Sequence, residues 1–203
     1  FLNPSVSSTS LFQYLMLGFH PVGNTVYDDV VRIKPGEIIT LSLNKNSKIS
    51  QRHNLVEPRS YSKLSQPVSC LTTALKDAVS SWCFTDGIKP SFIISGGLDS
   101  PTLAYIYKFL YPDNRLATHS FGFIDEFLSP WNELGQSSQV ASNLTSMHSE
   151  VRVTQSQMFE DLHSILSIFD EPFSGSLPSY YIFKSVSNHS NVAIVGHGAD
   201  EVF

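Results

Sequence analysis

The sequence has little charge and lacks any cluster of one sign. Only 15% of its 203 residues are charged, and 13 Lys and Arg against 18 Asp and Glu give a net charge of −5. Nucleic acids and anionic membranes bind proteins through clusters of Lys and Arg, so we expect neither to be a main partner. No apolar run approaches the roughly 20 residues that a membrane-spanning helix needs. The chain is therefore predicted to be soluble.

Cysteine is nearly absent, since the sequence contains only Cys70 and Cys83. Two cysteines are too few for a disulfide framework, and their spacing is not that of a metal site. They indicate structural thiols in a reducing compartment, so we expect a cytoplasmic protein. Hydrophobic residues make up 41% of the chain, which is enough for a globular core. The length suits one α/β domain, or one such domain with an appendage.

What the sequence does contain is a glycine motif that follows an apolar run. Residues 92–94 predict a buried strand. Ser95-Gly96-Gly97-Leu98-Asp99-Ser100 follows, and Pro101 would take the first position of a helix capped by Ser100. A glycine turn before a helix aims backbone N–H groups at one point, where an anion could bind, and Asp99 could hold Mg²⁺. The alternative is an ordinary turn that uses glycine for positive φ. The motif is not a P-loop, because it has no lysine and its glycines are spaced differently.

Apolar strands alternate with helices in the second part of the chain, residues 67–203. This alternation predicts an α/β fold with a parallel sheet flanked by helices. The first part, residues 1–66, has no chemistry of its own and is predicted to hold a linker, a small helix and a β-hairpin. The predicted elements of the first part are a helix at 11–17, capped by Ser10 and ended by Gly18, and hairpin strands at 30–33 and 37–43, with 44–66 irregular. In the second part, strands are predicted at 92–94, 116–121, 147–153 and 192–195. Two helices are predicted to begin at 67 and at 101, and three more to cover 131–144, 156–169 and 176–187. The helix that begins at 67 would have one apolar face, formed by Val68, Leu71, Leu75, Val79 and Trp82.

A second glycine loop, residues 196–201, follows the last predicted strand. Ligands of parallel sheets bind at the carboxyl ends of the strands, so this loop and the first are expected to converge. Asp99 and Asp200 could then hold Mg²⁺ on nucleotide phosphates. The bare backbone of Gly196 would let adenine or ribose approach closely. Taken alone, Gly-His-Gly-Ala-Asp is more typical of a turn.

The two loops together resemble the synthetase domain of the class B asparagine synthetase family. That family belongs to the PP-loop ATP pyrophosphatases, with an adenine nucleotide alpha hydrolase-like fold. The resemblance covers nearly the whole chain. It also rests on Leu17-Gly18-Phe19-His20-Pro21, Thr25, Val30, Pro35-Gly36, Phe121-Gly122-Phe123, Asn132-Glu133, His148-Ser149-Glu150 and Asp170-Glu171-Pro172.

By that resemblance, ATP adenylates a carboxylate with loss of pyrophosphate, and ammonia or an amine then forms the amide. The cofactors implied are ATP and Mg²⁺. The partners implied are a small-molecule carboxylate, an amine or ammonia source and a glutaminase domain or subunit. The residue roles implied are pyrophosphate binding for Ser95, Gly97 and Ser100, contact with adenosine for Ile94, Phe121, Val195 and Gly196, and Mg²⁺ binding for Asp99 and Asp200. Gly96 is a further candidate cofactor-binding residue, and His197 and Glu201 are the candidate catalytic residues.

Departures from the family pattern leave the substrate open. His197 stands where asparagine synthetases carry an acidic residue, so it is either a general base for the amine or a loop histidine bonded to backbone. The family's glutaminase domain and its later catalytic lysine lie outside the sequence, so we expect an incomplete enzyme. The alternatives are a β-lactam synthetase or peptide macrocyclase, a tRNA-modifying ATP pyrophosphatase, and a non-catalytic remnant of the fold.

Other polar residues give weaker signals. Asp170-Glu171-Pro172 could line the acceptor pocket, and it is equally typical of a helix-ending turn. His148 and Glu150 fall on one predicted strand, where a buried, hydrogen-bonded pair is favoured over catalysis.

Overall fold

The computed structural model of the chain describes residues 4–39, 52–54, 66–83, 89–125, 132–171, 173 and 175–199. The chain divides into two compact units, residues 1–64 and 65–203, and the boundary predicted after residue 66 stays a prediction. Within the described residues, no helix has the length and apolar character that crossing a membrane requires.

The first unit begins with the predicted helix, which is longer than expected. Helix α1 spans Ser8–Leu17, and Gly18 ends it in the left-handed conformation at φ 76°, as predicted. The predicted cap was wrong: Ser7, not Ser10, is the N-cap, because the Ser7 hydroxyl accepts the Ser10 N–H. The helix therefore starts one turn earlier and includes the polar residues before its apolar run.

The antiparallel strand pair of the first unit does not use the predicted first strand. Strand β1, Glu37–Ile39, pairs with β2, Arg52–Asn54, and β2 falls in a stretch that was predicted to be irregular. Residues 30–33 do not form a strand. Their backbone instead bonds to an earlier loop, since the Arg32 N–H donates to the Gly23 carbonyl at 3.2 Å and the Thr25 hydroxyl donates to the Val30 carbonyl at 2.7 Å.

The second unit contains the predicted parallel sheet flanked by helices. The sheet in the described residues has the order β5-β4-β3-β6, and every neighbouring pair is parallel. The predicted fold class is thereby confirmed. Its elements are α2 Pro67–Cys83, β3 Ser91–Ile93, α3 Asp99–Leu110, β4 Ala117–Phe123, α4 Leu134–Asn143, β5 Met147–Val153, α5 Gln155–Ile168, α6 Ser176–Ser187 and β6 Ala193–Val195.

The main core lies between β3 and helices α2, α3 and α4. Phe92 on β3 is fully buried, and its ring lies 5.0 Å from the ring of Tyr107 on α3. The apolar face predicted for α2 is only partly buried: Val79 is 1% exposed, whereas Val68 is 77% exposed. Only the carboxyl-terminal half of α2 reaches the core. Cys83 packs there and burial raises the pKa of its thiol, while Cys70 is exposed.

A second core cluster joins β5 to α5 and α6. Val153, Ile165 and Tyr181 are its buried members. The Tyr181 hydroxyl donates to Asp161 Oδ2 at 2.8 Å, and burial together with this carboxylate raises the pKa of Tyr181. Helix α6 thus packs against β4 and β5, and α5 packs beside it.

Helix α5 begins with a reciprocal capping box, which gives a stability prediction. The Thr154 hydroxyl accepts the Gln157 N–H, and the Gln157 side chain accepts the Thr154 N–H. Thr154→Ala removes one of these bonds, so we expect a loss of about 1 kcal/mol in the free energy of unfolding. Urea denaturation of the two proteins measures this loss in the free energy of unfolding. The matched control is Thr72→Ala, at an exposed mid-helix position on α2, which should be neutral or stabilising; equal losses in both variants would contradict the prediction.

Candidate functional site

The loop after β3 is held in shape by its own two serines. The Ser95 N–H donates to Ser100 Oγ at 2.9 Å, and the two hydroxyl oxygens lie 3.1 Å apart. The Gly97 N–H donates to Ser95 Oγ at 3.1 Å. Ser100 therefore does not cap the helix as predicted: α3 begins at Asp99, after Leu98, and Pro101 takes the third helical position. The Ser100 hydroxyl closes the loop instead.

Glycine is needed in this loop for close packing rather than for positive φ. Neither Gly96 nor Gly97 has a positive φ. A Cβ on Gly96 would lie 2.7 Å from Cβ of Gln136 on α4. The Gly96 N–H donates to Glu133 Oε2 at 2.9 Å, and Glu133 makes no side-chain capping bond to α4. A carboxylate thus already accepts a hydrogen bond from one of the loop's N–H groups.

The second glycine loop meets the first at the start of α3. A Cβ on Gly196 would lie 2.6 Å from the Ser100 nitrogen and 2.9 Å from the Asp99 carbonyl carbon. The predicted convergence of the loops is therefore present. The structure gives a further reason for this glycine, because the backbone of α3 occupies the space that a Cβ would need; close approach of a ligand to Gly196 stays a prediction. Gly198 has φ 92° and shapes the turn after the exposed His197.

An open cleft of about 390 Å³ lies where these loops meet the carboxyl ends of β3, β4 and β6. Its polar wall is the loop after β3, and its apolar wall comes from the sheet and from α6. The predicted site residues that line it are Ile94, Ser95, Gly97, Asp99, Ser100, Phe121, Val195, Gly196 and His197. Of the remaining predicted site residues, Gly96 belongs to the same loop but is not among the lining residues, and Asp200 and Glu201 lie outside the described residues.

Several cleft residues were not predicted from the sequence. They come from α6 and the segment before it, from the start of α4, and from β4. Asn132-Glu133 was noticed only as a family-like pair, and nothing in the sequence indicated that Glu133 reaches the glycine loop. The additional lining residues include Ser120, Glu133, Ser137, Ser179, Ile182 and Phe183.

The half-buried His148 is hydrogen-bonded to Ser120, a residue that lines the cleft. His148 on β5 bonds to Thr118 Oγ1 through Nδ1 at 2.9 Å and to Ser120 Oγ through Nε2 at 3.1 Å, and burial lowers its pKa. The expected His148–Glu150 pair is wrong as a direct bond, because Glu150 bonds to Ser138 and Arg152 instead. These two bonds lower the pKa of Glu150. His148 is nevertheless hydrogen-bonded within the sheet, as predicted.

Asp170 and Glu171 follow α5, and Pro172 lies outside the described residues. Among the described cleft residues, the wall in this region is formed by Phe173 and Gly175. The acceptor-pocket role of Asp170-Glu171 stays a prediction.

Comparison with known protein families shows which family the chain belongs to. The sequence model of the family described as asparagine synthase matches residues 71–203, which include both glycine loops. The chain belongs to the asparagine synthase family. The predicted family is therefore confirmed, and with it a relationship to ATP-dependent ligases.

Individual relatives share the family at low identity. Asparagine synthetase [glutamine-hydrolyzing] 1 of Bacillus subtilis (strain 168) is 25% identical over 200 residues, which cover 98% of this chain and 31% of that protein. The chain thus spans about a third of that relative's length. Among solved structures, the NH3-dependent NAD synthetase from Campylobacter jejuni aligns with a TM-score of 0.45 and 12% identity, over 66% of this chain and 58% of that one.

Proposed function

We propose that this asparagine synthase family chain binds ATP in the cleft and is the synthetase portion of an amide-forming ligase. The observation that carries the proposal is the contact between the two loops: Gly196 packs against the backbone of Asp99 and Ser100. A helix N-terminus, a hydroxyl-rich loop and the end of a neighbouring strand therefore face one cavity. Together they supply donors for phosphates and an apolar wall for a base.

The phosphates of ATP fit the loop end of the cleft. The first N–H groups of a helix have no intrahelical partner, and the helix dipole favours an anion there. Ser95 and Ser100 add hydroxyls at the same place. The exposed Glu133 must release the Gly96 N–H if a phosphate is to use that donor, because two anions cannot share it.

Magnesium suits the acidic residue at the start of α3. Asp99 lies in the first turn and lines the cleft, and a carboxylate oxygen is a preferred Mg²⁺ ligand. Within the described residues, no group of three or more His, Cys, Asp or Glu side chains could hold a metal ion by itself. We therefore infer that Asp99 holds Mg²⁺ together with Asp200 and the phosphates. The ion would neutralise charge on the leaving pyrophosphate.

The reaction proposed is attack of a carboxylate on ATP, which releases pyrophosphate, followed by attack of ammonia or an amine on the acyl-adenylate, which forms the amide and releases AMP. Acyl transfer of this kind depends on positioning and charge neutralisation more than on a protein nucleophile. His197 lines the cleft and is exposed, so it can reach an incoming amine as a general base. Asparagine formation, β-lactam closure and macrocyclisation all use this scheme, and the acyl acceptor distinguishes them.

The test is binding of Mg·ATP by calorimetry, with pyrophosphate–ATP exchange measured over a panel of carboxylates. Asp99→Asn is expected to reduce ATP affinity and exchange by at least about 100-fold, because it removes a charge that faces Mg²⁺ and the phosphates. The matched control is Asp113→Asn, an exposed residue just beyond the other end of α3, which should behave like the unaltered chain.

The outcomes separate the candidate functions. Exchange with one carboxylate would support the ligase and identify its acyl donor. Mg·ATP binding without exchange over the whole panel would reduce the proposal to nucleotide binding. If the unaltered chain binds no Mg·ATP, the proposed function is refuted and a remnant of the fold is left.

A further inference from the structure

Three successive N–H groups of the glycine loop are hydrogen-bonded, and one of them is held from outside the loop. The Ser95 N–H donates to Ser100 Oγ at 2.9 Å, and the Gly97 N–H donates to Ser95 Oγ at 3.1 Å. The Gly96 N–H between them donates to Glu133 Oε2 at 2.9 Å, and Glu133 lies 37 positions along the chain. Glu133 lines the cleft whereas Gly96 does not, so the carboxylate lies between this N–H and the cavity.

Glu133 has a second set of donors within reach on its own helix. It is the N-cap residue of α4, yet its side chain makes no capping bond there. The Ser137 N–H donates to the Glu133 carbonyl at 2.9 Å, and the N–H groups before it have no intrahelical acceptor. An N-cap side chain ordinarily accepts from the second or third helical residue, here Gly135 and Gln136, and the helix dipole favours a carboxylate at that end. Glu133 can therefore exchange the Gly96 N–H for donors of α4.

The side chain of Glu133, not the glycine loop, is the part that can move in this exchange. The loop is packed on the first turn of α4, because a Cβ on Gly96 would lie 2.7 Å from Cβ of Gln136 and 3.4 Å from Cβ of Glu133. Glu133 itself is exposed. Within the described residues, no lysine or arginine forms an ion pair with it. One hydrogen bond thus holds the carboxylate in place, and rotation of the side chain is enough to break it.

On the basis of the proposed ATP function, we infer that Glu133 is an internal competitor of the phosphates for the Gly96 N–H. The carboxylate accepts this N–H when no phosphate is bound. It yields the N–H to a phosphate oxygen of ATP by turning to the first turn of α4, and it takes the N–H back as pyrophosphate leaves. Glu133 therefore weakens the binding of ATP and pyrophosphate alike and favours release of the product. It is a positioning residue, because it acts through Gly96 and not on the reacting atoms.

The test is the affinity of Glu133→Asp for Mg·pyrophosphate and Mg·ATP, measured by calorimetry. Aspartate keeps the negative charge, is shorter by one methylene group and, unlike glutamate, is a favoured N-cap residue. Its carboxylate is therefore expected to accept an N–H of α4 and to leave the Gly96 N–H to the ligand. We expect both ligands to bind about 3- to 10-fold more tightly than to the unaltered chain, which corresponds to one hydrogen bond that no longer has to be displaced.

Three controls accompany the aspartate variant. Glu133→Gln removes the charge as well as the competing carboxylate, so it should also bind both phosphate ligands more tightly. Adenosine has no phosphate, so its affinity should be the same for the unaltered chain and for both variants. The matched control is Glu160→Asp, the same substitution at an exposed position on α5, which should bind all three ligands like the unaltered chain. Urea denaturation of each variant reports whether the second unit is folded.

The outcomes distinguish competition from two simpler roles of Glu133. If its bond to Gly96 only shapes the loop, Glu133→Asp should bind pyrophosphate more weakly and lose stability. If Glu133 only repels the phosphates by its charge, Glu133→Gln should gain affinity and Glu133→Asp should not. Either result, with Mg·ATP bound by the unaltered chain, would overturn the inference and leave the proposed function standing. No Mg·ATP binding by the unaltered chain would overturn both.

Discussion

Replacing Gly196 by alanine is expected to weaken ATP binding strongly and to destabilise the second unit. The added Cβ would lie 2.6 Å from the Ser100 nitrogen, 2.7 Å from its Cα and 2.9 Å from the Asp99 carbonyl carbon. These are backbone atoms of α3, so no side-chain rotation can relieve the contact. The chain after β6 must move away from α3, and the cleft loses the junction of its two loops.

The size of the expected losses in stability and ATP affinity depends on the steric clash between the added Cβ and the backbone of α3. We expect the free energy of unfolding to fall by about 1–3 kcal/mol and ATP affinity to fall by at least about 100-fold, through displacement of groups from the phosphate site. Urea denaturation and calorimetry measure the two quantities. Gly135→Ala, on α4, is the matched control. A Cβ at Gly135 would meet nothing within 4 Å, and alanine favours a helix. Unchanged ATP affinity in Gly196→Ala would contradict the assignment of the site to this junction.

Much of the second unit could be predicted because its signals are local. The strand at 147–153 and the helix at 176–187 were predicted with the bounds that the structure shows. Apolar runs and glycine breaks mark strand ends, and the alternation of strands with helices then restricts the sheet to a parallel order. The same reasoning placed both glycine loops at one edge of the sheet.

The errors arise where the partner of a segment is distant in sequence. Residues 30–33 look like a strand, yet their hydrogen bonds go to residues 23 and 25, and β1 pairs with a polar segment instead. Apolar periodicity identified α2 but could not show that only its end reaches the core. A single sequence shows the hydrophobic period and the polarity of each segment, whereas the pairing of strands depends on their register and on packing.

The chemistry of the site was predictable only in part for the same reason. Ser95 and Asp99 carry a recognisable pattern in one short stretch. Glu133 lies 37 positions from the glycine whose N–H it accepts, and Ser120 lies 28 positions from His148. Such contacts depend on how β4, β5 and α4 align.

A pH-dependent loss of stability is expected from His119, which lies on β4 next to the cleft wall. This side chain is fully buried. Its Nδ1 lies 2.9 Å from Ser185 Oγ on α6, and its ring meets His189 edge-on at 5.1 Å. Among the described residues, Nε2 has no hydrogen-bond partner. Burial, with smaller contributions from the charges of His189 and His148, lowers the pKa of His119 to about 4.

The direction of the effect follows from proton binding in the two states. An unfolded histidine has a pKa of about 6.5, so between about pH 6.5 and pH 4 the unfolded chain binds a proton that the folded chain does not. The stabilising contribution of neutral His119 is therefore complete above about pH 6.5 and is lost as the pH falls towards 4. A shift of this size corresponds to at most about 3 kcal/mol, or roughly 6–12 °C in Tm for a chain of this length.

Thermal unfolding at pH 7.5, 6.0 and 5.0 tests this expectation through a variant that cannot take up the proton. His119→Gln should be less stable than the unaltered chain at pH 7.5, because glutamine fits the buried site less well, but its Tm should fall less steeply as the pH is lowered. His163→Gln, at an exposed position on α5, should keep the steep profile. His148 is also buried enough for its pKa to be lowered, so some pH dependence will persist in His119→Gln. Parallel profiles for His119→Gln and the unaltered chain would show that this ring titrates alike in the folded and unfolded states, and that the buried imidazole does not control acid stability.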